Sequence, residues 1–173
     1  MEAREILEKH KKEIVSSWTE AVFNTYPLET TGFLRTTSDP FTNPVANMTR
    51  QAANVLFDAV IGDNVDPEEV KKSLERFIRL RAVQKFAPSQ NMAVFFLMKP
   101  IARQAVLNEV MDNGQLAEYL AMEERLDTLA LLAFDMFTEA RETLAEARIK
   151  EIKSQYAYLA TWAERMENGK SGE

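Results

Sequence analysis

The only histidine, His10, is the side chain best suited to general base catalysis or haem ligation. Its neighbours Lys9, Lys11 and Lys12 indicate a solvated helix face. A Ser–His–acid site needs an oriented histidine, and a Cys–His site needs a cysteine that this chain lacks. We therefore expect a protein that is not an enzyme, binds no haem or other cofactor, and has no disulfide.

Carboxylates between residues 118 and 146 are a second source of chemistry. A di-metal site in a helical bundle needs inward Glu-x-x-His pairs, and the single histidine lies elsewhere. Most of these acids fall outside the apolar stripe, which indicates a solvated face and no metal site. Asp135 lies between two apolar residues, so we expect it to form a structural ion pair with an arginine such as Arg141.

The stretch from 66 to 85 is locally basic, with six Lys and Arg residues against four acids. The whole chain, however, has a net charge of -6, whereas nucleic-acid binders usually carry a basic excess. Pairs such as Glu68 with Lys72 explain several of these charges locally. Arg81 lies close to the apolar face and is predicted to pair internally with an acid. We expect no nucleic-acid partner.

Aromatic and methionine side chains are the strongest positive signal. They favour an ordinary core, and the alternative is an apolar pocket between helices in which flexible Met side chains adapt to a fatty-acid-like ligand. The candidate lining residues of that pocket are Trp18, Phe77, Phe95, Phe96, Phe134 and Phe137.

Apolar residues at helical spacing predict five helices and no strand, and therefore an all-α domain. The connection from 27 to 42 is predicted as an ordered loop, and Pro100 is predicted to bend the fourth helix. We expect residues 1–167 to form one domain and residues 168–173 to be a disordered tail. The predicted helices span about residues 3–25, 44–61, 67–87, 89–113 and 115–167.

The last predicted helix is the most informative element because residues 115–167 contain no Pro and no Gly. Its ~80 Å exceed the width of a domain of this size. The first half has a core stripe that ends near Leu144, and the second half has a separate heptad stripe beginning at Ile149. We expect a continuous helix whose second half packs on a partner helix; the alternative is a hairpin folded back near residues 145–148. The predicted dimer seam comprises Ile149, Ile152, Tyr156, Leu159, Ala163 and Met166, with Ile6, Leu7 and Ile14 available to join it.

The start of the chain is charged and helical, unlike a secretory signal peptide. No segment reaches the ~18 uninterrupted apolar residues that a membrane helix needs. We therefore expect a cytoplasmic protein that does not insert into a membrane.

Three stretches resemble the N-terminal domain of the RsbT co-antagonist family, the RsbR and RsbRD sensor proteins of bacterial stress signalling. The stretches are Asp39-Pro-Phe-Thr-Asn-Pro-Val45, then Arg79-Leu-Arg-Ala-Val-Gln-Lys-Phe-Ala-Pro-Ser-Gln90 with Lys99-Pro-Ile-Ala-Arg103, and finally residues 126–153. The resemblance implies a globin-like helical bundle without haem that dimerises and sends its last helix toward an output domain. This sequence ends at Glu173, so we expect a stand-alone relative.

Two functions follow as hypotheses. The first is a sensor or scaffold domain that acts through homodimerisation, its long terminal helix and a protein partner in a signalling complex. The second is a carrier or sensor of a small apolar molecule bound between helices.

Overall fold

The computed structural model describes residues 1–36, 39, 41–62, 65–84 and 86–170. All regular secondary structure in this part of the chain is α-helical, which confirms the predicted all-α bundle. The helices are α1 (Ala3–Phe23), α2 (Leu28–Thr36), α3 (Pro44–Ile61), α4 (Pro67–Ala82), α5 (Pro88–Phe96), α6 (Met98–Asp112) and α7 (Leu116–Lys170).

Local signals fix both ends of α3 and the start of α4 as predicted, whereas α4 ends at Ala82, about five residues before its predicted end. Asn43 caps α3 by accepting a hydrogen bond from the Ala46 amide at 3.1 Å, and Asp66 caps α4 in the same way. A proline occupies the first turn of each helix. α3 ends at Gly62, whose φ of 75° is left-handed, a conformation that a side chain disfavours.

The connection predicted as a loop over residues 27–42 contains the short helix α2. Thr31 and Leu34 on α2 are buried, and the Asn43 side-chain amide donates to the Phe33 and Leu34 carbonyls. These contacts tie α2 to the start of α3, so tertiary packing stabilises a helix too short for a clear periodic pattern. Residues 37, 38 and 40 of this connection lie outside the described part of the chain.

The fourth predicted helix is divided into α5 and α6 at Leu97. Pro100 has no N–H to donate to the Phe96 carbonyl, and its ring clashes with that carbonyl. The break therefore falls one turn before the proline, which confirms the predicted bend.

Aromatic side chains fill the centre of the bundle. The Trp18 indole donates a hydrogen bond of 2.6 Å to the Val94 carbonyl, and its ring centroid lies 5.9 Å from that of Phe77. Phe77 in turn packs edge-on against Phe95 at 6.1 Å. These contacts join α1, α4 and α5 into one core.

The apolar face of α1 packs against the other helices of this core. Ile6, Leu7 and Ile14 are buried, since α1 packs against α3 and α6 on that face. The expectation that these three residues could join a dimer seam is therefore wrong.

Helix α7 is continuous, as predicted, so the hairpin alternative is excluded. Its first half contributes a buried stripe to the core, and every residue from 141 to 167 is exposed. The part from residue 144 to residue 167 extends roughly 35 Å at 1.5 Å per residue. The helix continues to Lys170, three residues past the predicted end, and residues 171–173 lie outside the described part. The buried stripe comprises Tyr119, Met122, Leu126, Ala130, Ala133 and Phe137.

Candidate functional site

The exposed end of α7 carries the predicted seam. The five large seam side chains are between 46% and 71% exposed, and they recur at alternating steps of three and four residues. This spacing places them on one face of the helix. They are Ile149, Ile152, Tyr156, Leu159 and Met166.

The seam continues onto the body of the domain, which sequence reasoning missed. Leu131 and Phe134 are 68% and 47% exposed on α7. At 100° per residue, these two side chains and the seam fall within an arc of about 100° on the helix surface. The core stripe faces a different direction. Two apolar segments, Leu131–Phe134 on the body and Ile149–Met166 on the exposed end, therefore lie on the same side of α7, and together we call them the α7 stripe.

Sequence patterning could have found this extension. Counting back from Ile149 in steps of four, four, three, four and three reaches Ala145, Arg141, Thr138, Phe134 and Leu131. The two consecutive steps of four are a stutter, which shifts a heptad seam without ending it.

The six candidate pocket residues do not share one environment. Trp18, Phe77, Phe95 and Phe137 are buried in the core. Phe96 and Phe134, expected at inward positions, instead have 46% and 47% of their side-chain surface exposed. A ligand site formed by these residues stays a prediction.

A different concavity lies between α4 and α7, where the exposed part of α7 begins. Its volume is about 300 Å³, at the lower end of the range for small-molecule sites. Polar residues, Arg79 among them, stand among the apolar ones. We call it the α4–α7 groove. Its apolar lining residues are Ile78, Val83, Met136, Ala140 and Leu144.

Ion pairs hold the first half of α7 against α6. Arg103 donates to Glu123 at 2.7 Å, and Lys99 pairs with Asp127 at 2.6 Å. Although burial raises the pKa of Glu123, the hydrogen bonds from Arg103, together with the neighbouring Tyr119 hydroxyl, lower it overall. Burial also raises the pKa of the Tyr119 hydroxyl. An adjoining cavity of about 20 Å³ has room for little more than one water molecule.

No acid among the described residues pairs with Arg81, contrary to the sequence prediction. Its side chain is fully buried, with Nε donating to Asn91 Oδ1 at 2.9 Å and Nη1 donating to Thr25 Oγ1 at 3.2 Å. Burial lowers the pKa of Arg81, and the Tyr26 hydroxyl partly opposes this shift. Periodicity placed Arg81 near the core but could not identify its partners.

Two other sequence expectations are placed as follows. The His10 ring lies at the edge between α1 and α6, with Nε2 3.1 Å from Glu109 Oε2. Arg141 donates to the Ala82 carbonyl at 3.1 Å, which ties α7 to the end of α4.

Among the described residues no group of three or more His, Asp or Glu side chains is arranged to hold a metal ion. No helix in this same part is long and apolar enough to span a bilayer.

The described part of the chain is thus an all-α bundle whose last helix leaves the body with exposed apolar side chains. A family model for the RsbT co-antagonist protein RsbRD N-terminal domain matches residues 12–152, more than four fifths of the chain. The chain belongs to this family of signalling-related domains. No curated protein and no solved structure matches the chain significantly.

Proposed function

We propose that this chain is a non-enzymatic signalling domain that forms a homodimer and acts through its long terminal helix. The observation that carries the proposal is the α7 stripe, whose main part is the row of exposed apolar side chains from Ile149 to Met166 near the end of the helix. Clusters of exposed apolar side chains mark interaction sites on proteins.

A second copy of the chain is the partner that the stripe fits best. Steps of three and four residues create knobs and holes that match an identical helix. A two-fold dimer would place the same face of both copies together. The two bodies would then be joined through helices that reach roughly 35 Å beyond them, where a further protein partner could bind.

The mass of the full chain in solution tests this proposal. Sedimentation equilibrium at tens of micromolar should give the mass of two chains, with dissociation on dilution. A mass of one chain across this range would overturn the dimer and with it the proposed mode of action.

The part of the stripe on the body can be tested with two adjacent leucines. Leu131→Asp should weaken dimerisation about a hundredfold or more, because each copy loses an apolar contact worth about 1.5 kcal/mol or more, which is about 3 kcal/mol over both copies. Leu132 is 40% exposed but lies on another side of α7, so Leu132→Asp is a matched control. Equal dissociation constants for the two variants would restrict the interface to the end of the helix.

We also propose that the protein binds no haem or other cofactor and no nucleic acid. It does not insert into a membrane, and its location is the cytoplasm. The single histidine lies between α1 and α6, where its Nε2 atom is 3.1 Å from the Glu109 carboxylate. The net charge of -6 opposes binding to nucleic acid.

A small apolar ligand is the second candidate function, and the α4–α7 groove favours it. The groove is lined by apolar side chains and by Arg79, whose guanidinium could pair with a carboxylate head group, while Glu75 and Glu139 in the same lining would oppose that charge. Ligand occupancy there would bear directly on the point where α7 leaves the body.

Oleate is a suitable probe for this second candidate. Ala140→Trp should fill the groove and lower oleate affinity at least tenfold, as measured by isothermal titration calorimetry. Ala157→Trp, on the exposed end of α7, controls for the added indole. An oleate affinity that is unchanged by Ala140→Trp, or no binding to the unmodified protein, would end this alternative.

A further inference from the structure

The guanidinium of Arg81 is a buried positive charge that lacks a negative partner. Arg81 is fully buried, and no ion pair within the described ranges includes it. Arginine does not lose its proton in proteins, so the charge persists despite its burial. A buried charge without a counter-charge is costly, which raises the question of what neutralises it.

The surrounding protein groups offset part of this cost but are all neutral. Asn91 and Thr25 each accept one hydrogen bond from the guanidinium. The rings of Tyr26, Phe77 and Phe86 lie 5.6, 5.8 and 4.6 Å from its central carbon. Aromatic faces attract a cation, yet they supply no net negative charge.

Within the described residues, the hydroxyl of Tyr26, whose ring lies against the guanidinium, is buried without a hydrogen-bond partner. In this same part of the chain, two buried N–H donors next to the guanidinium likewise have no acceptor. They are Nη2 of Arg81 and Nδ2 of Asn91. Nη2 is two covalent bonds from the donor Nε of the Arg81–Asn91 hydrogen bond, and Nδ2 is two covalent bonds from its acceptor Oδ1. The Nε–Nη2 edge of an arginine normally binds both oxygens of a carboxylate. Asn91 supplies one oxygen to this edge, and its NH₂ group cannot accept from Nη2.

We propose that this position binds a small monovalent anion that accepts hydrogen bonds from Arg81 Nη2 and Asn91 Nδ2. The ligand must be small because both side chains are fully buried. A halide ion and the carboxylate of formate share the required charge and size. Tyr26 and Phe86, which cover the guanidinium, are partly exposed, so the site lies about one side chain below the surface.

The site connects three parts of the fold. Thr25 follows the end of α1, Arg81 lies in the last turn of α4, and Asn91 lies in α5. Because α5 packs on α7, the bound anion would stabilise the position of the helix that carries the α7 stripe. The inference does not depend on dimerisation.

Thermal unfolding of the full chain tests the site without any variant. Chloride, bromide and formate are each titrated against sodium gluconate at constant ionic strength and constant protein concentration. Above the dissociation constant, each tenfold rise in the binding anion should raise Tm by about 3–6 °C. Gluconate is too bulky for a fully buried position and should have no such effect.

The decisive comparison is between the unmodified protein and Asn91→Asp. This substitution replaces the Asn91 amide by a carboxylate, and Oδ1 now lies 2.9 Å from Arg81 Nε. The new Oδ2 can accept from Nη2, so the chain supplies its own counter-ion. The Tm of this variant should no longer depend on the anion. Stabilisation of the unmodified protein by halides or by formate alone supports the site and identifies the ligand type.

Two results would overturn the inference. Equal stabilisation of the unmodified protein and Asn91→Asp would show a general salt effect. No stabilisation of the unmodified protein by any small anion relative to gluconate would show that water, not an anion, satisfies the two donors, and this result does not require the variant to fold.

Discussion

Replacement of both Ile152 and Leu159 by Asp is expected to convert the dimer into single chains at concentrations where the unmodified protein is associated. Each copy loses two apolar contacts worth about 1.5–3 kcal/mol each, and two carboxylates would have to be desolvated in the seam. Over both copies the loss is at least about 6 kcal/mol, or roughly four powers of ten in Kd. Sedimentation equilibrium of the full chain measures the change.

Ser154→Asp combined with Thr161→Asp is the matched control for this prediction. These positions are also seven residues apart and exposed on α7, but they face away from the stripe. The control adds the same charge and a similar cost in helix propensity. A dimer that survives the Ile152 and Leu159 changes, or that is lost equally in the control, would contradict the proposed seam.

The architecture of α7 was predictable because its determinants are local. A run of residues 115–167 without Pro or Gly specifies one helix, and a heptad that departs from the core stripe specifies an exposed face. The break before α6 was predictable for the same reason, since Pro100 acts on the carbonyl four residues earlier. Helix α2 was missed because contacts from Asn43, which follows it in sequence, stabilise it.

The candidate sites were less predictable because they depend on long-range packing. Asn91 is ten residues from Arg81 in sequence and Thr25 is 56 residues away, so no periodic pattern links them. Phe134 follows the core residue Ala133 directly, yet a rotation of 100° turns it outward. Apolar content alone could not separate a buried aromatic residue from one on the α7 stripe.

Phe77→Ala is expected to lower the free energy of unfolding by about 3–5 kcal/mol. Phe77 is fully buried between the Trp18 and Phe95 rings, at centroid distances of 5.9 and 6.1 Å. Removing its ring deletes these contacts and leaves a cavity that neighbouring helices can close only in part. Urea unfolding in the Ile152→Asp, Leu159→Asp background measures this cost without a contribution from dimerisation.

Phe134→Ala in the same background is the control, because Phe134 belonged to the same predicted pocket but is 47% exposed. It should cost less than about 1 kcal/mol once the dimer is absent. A large loss of unfolding free energy at Phe77 with a small loss at Phe134 would mean that the central aromatic residues form a packed core. Any apolar ligand would then have to bind elsewhere, and the α4–α7 groove is the site to test. A cost below about 1.5 kcal/mol at Phe77 would instead mean that its ring faces a preformed cavity, because few contacts would then be lost. That result would make ligand binding between the helices the leading function.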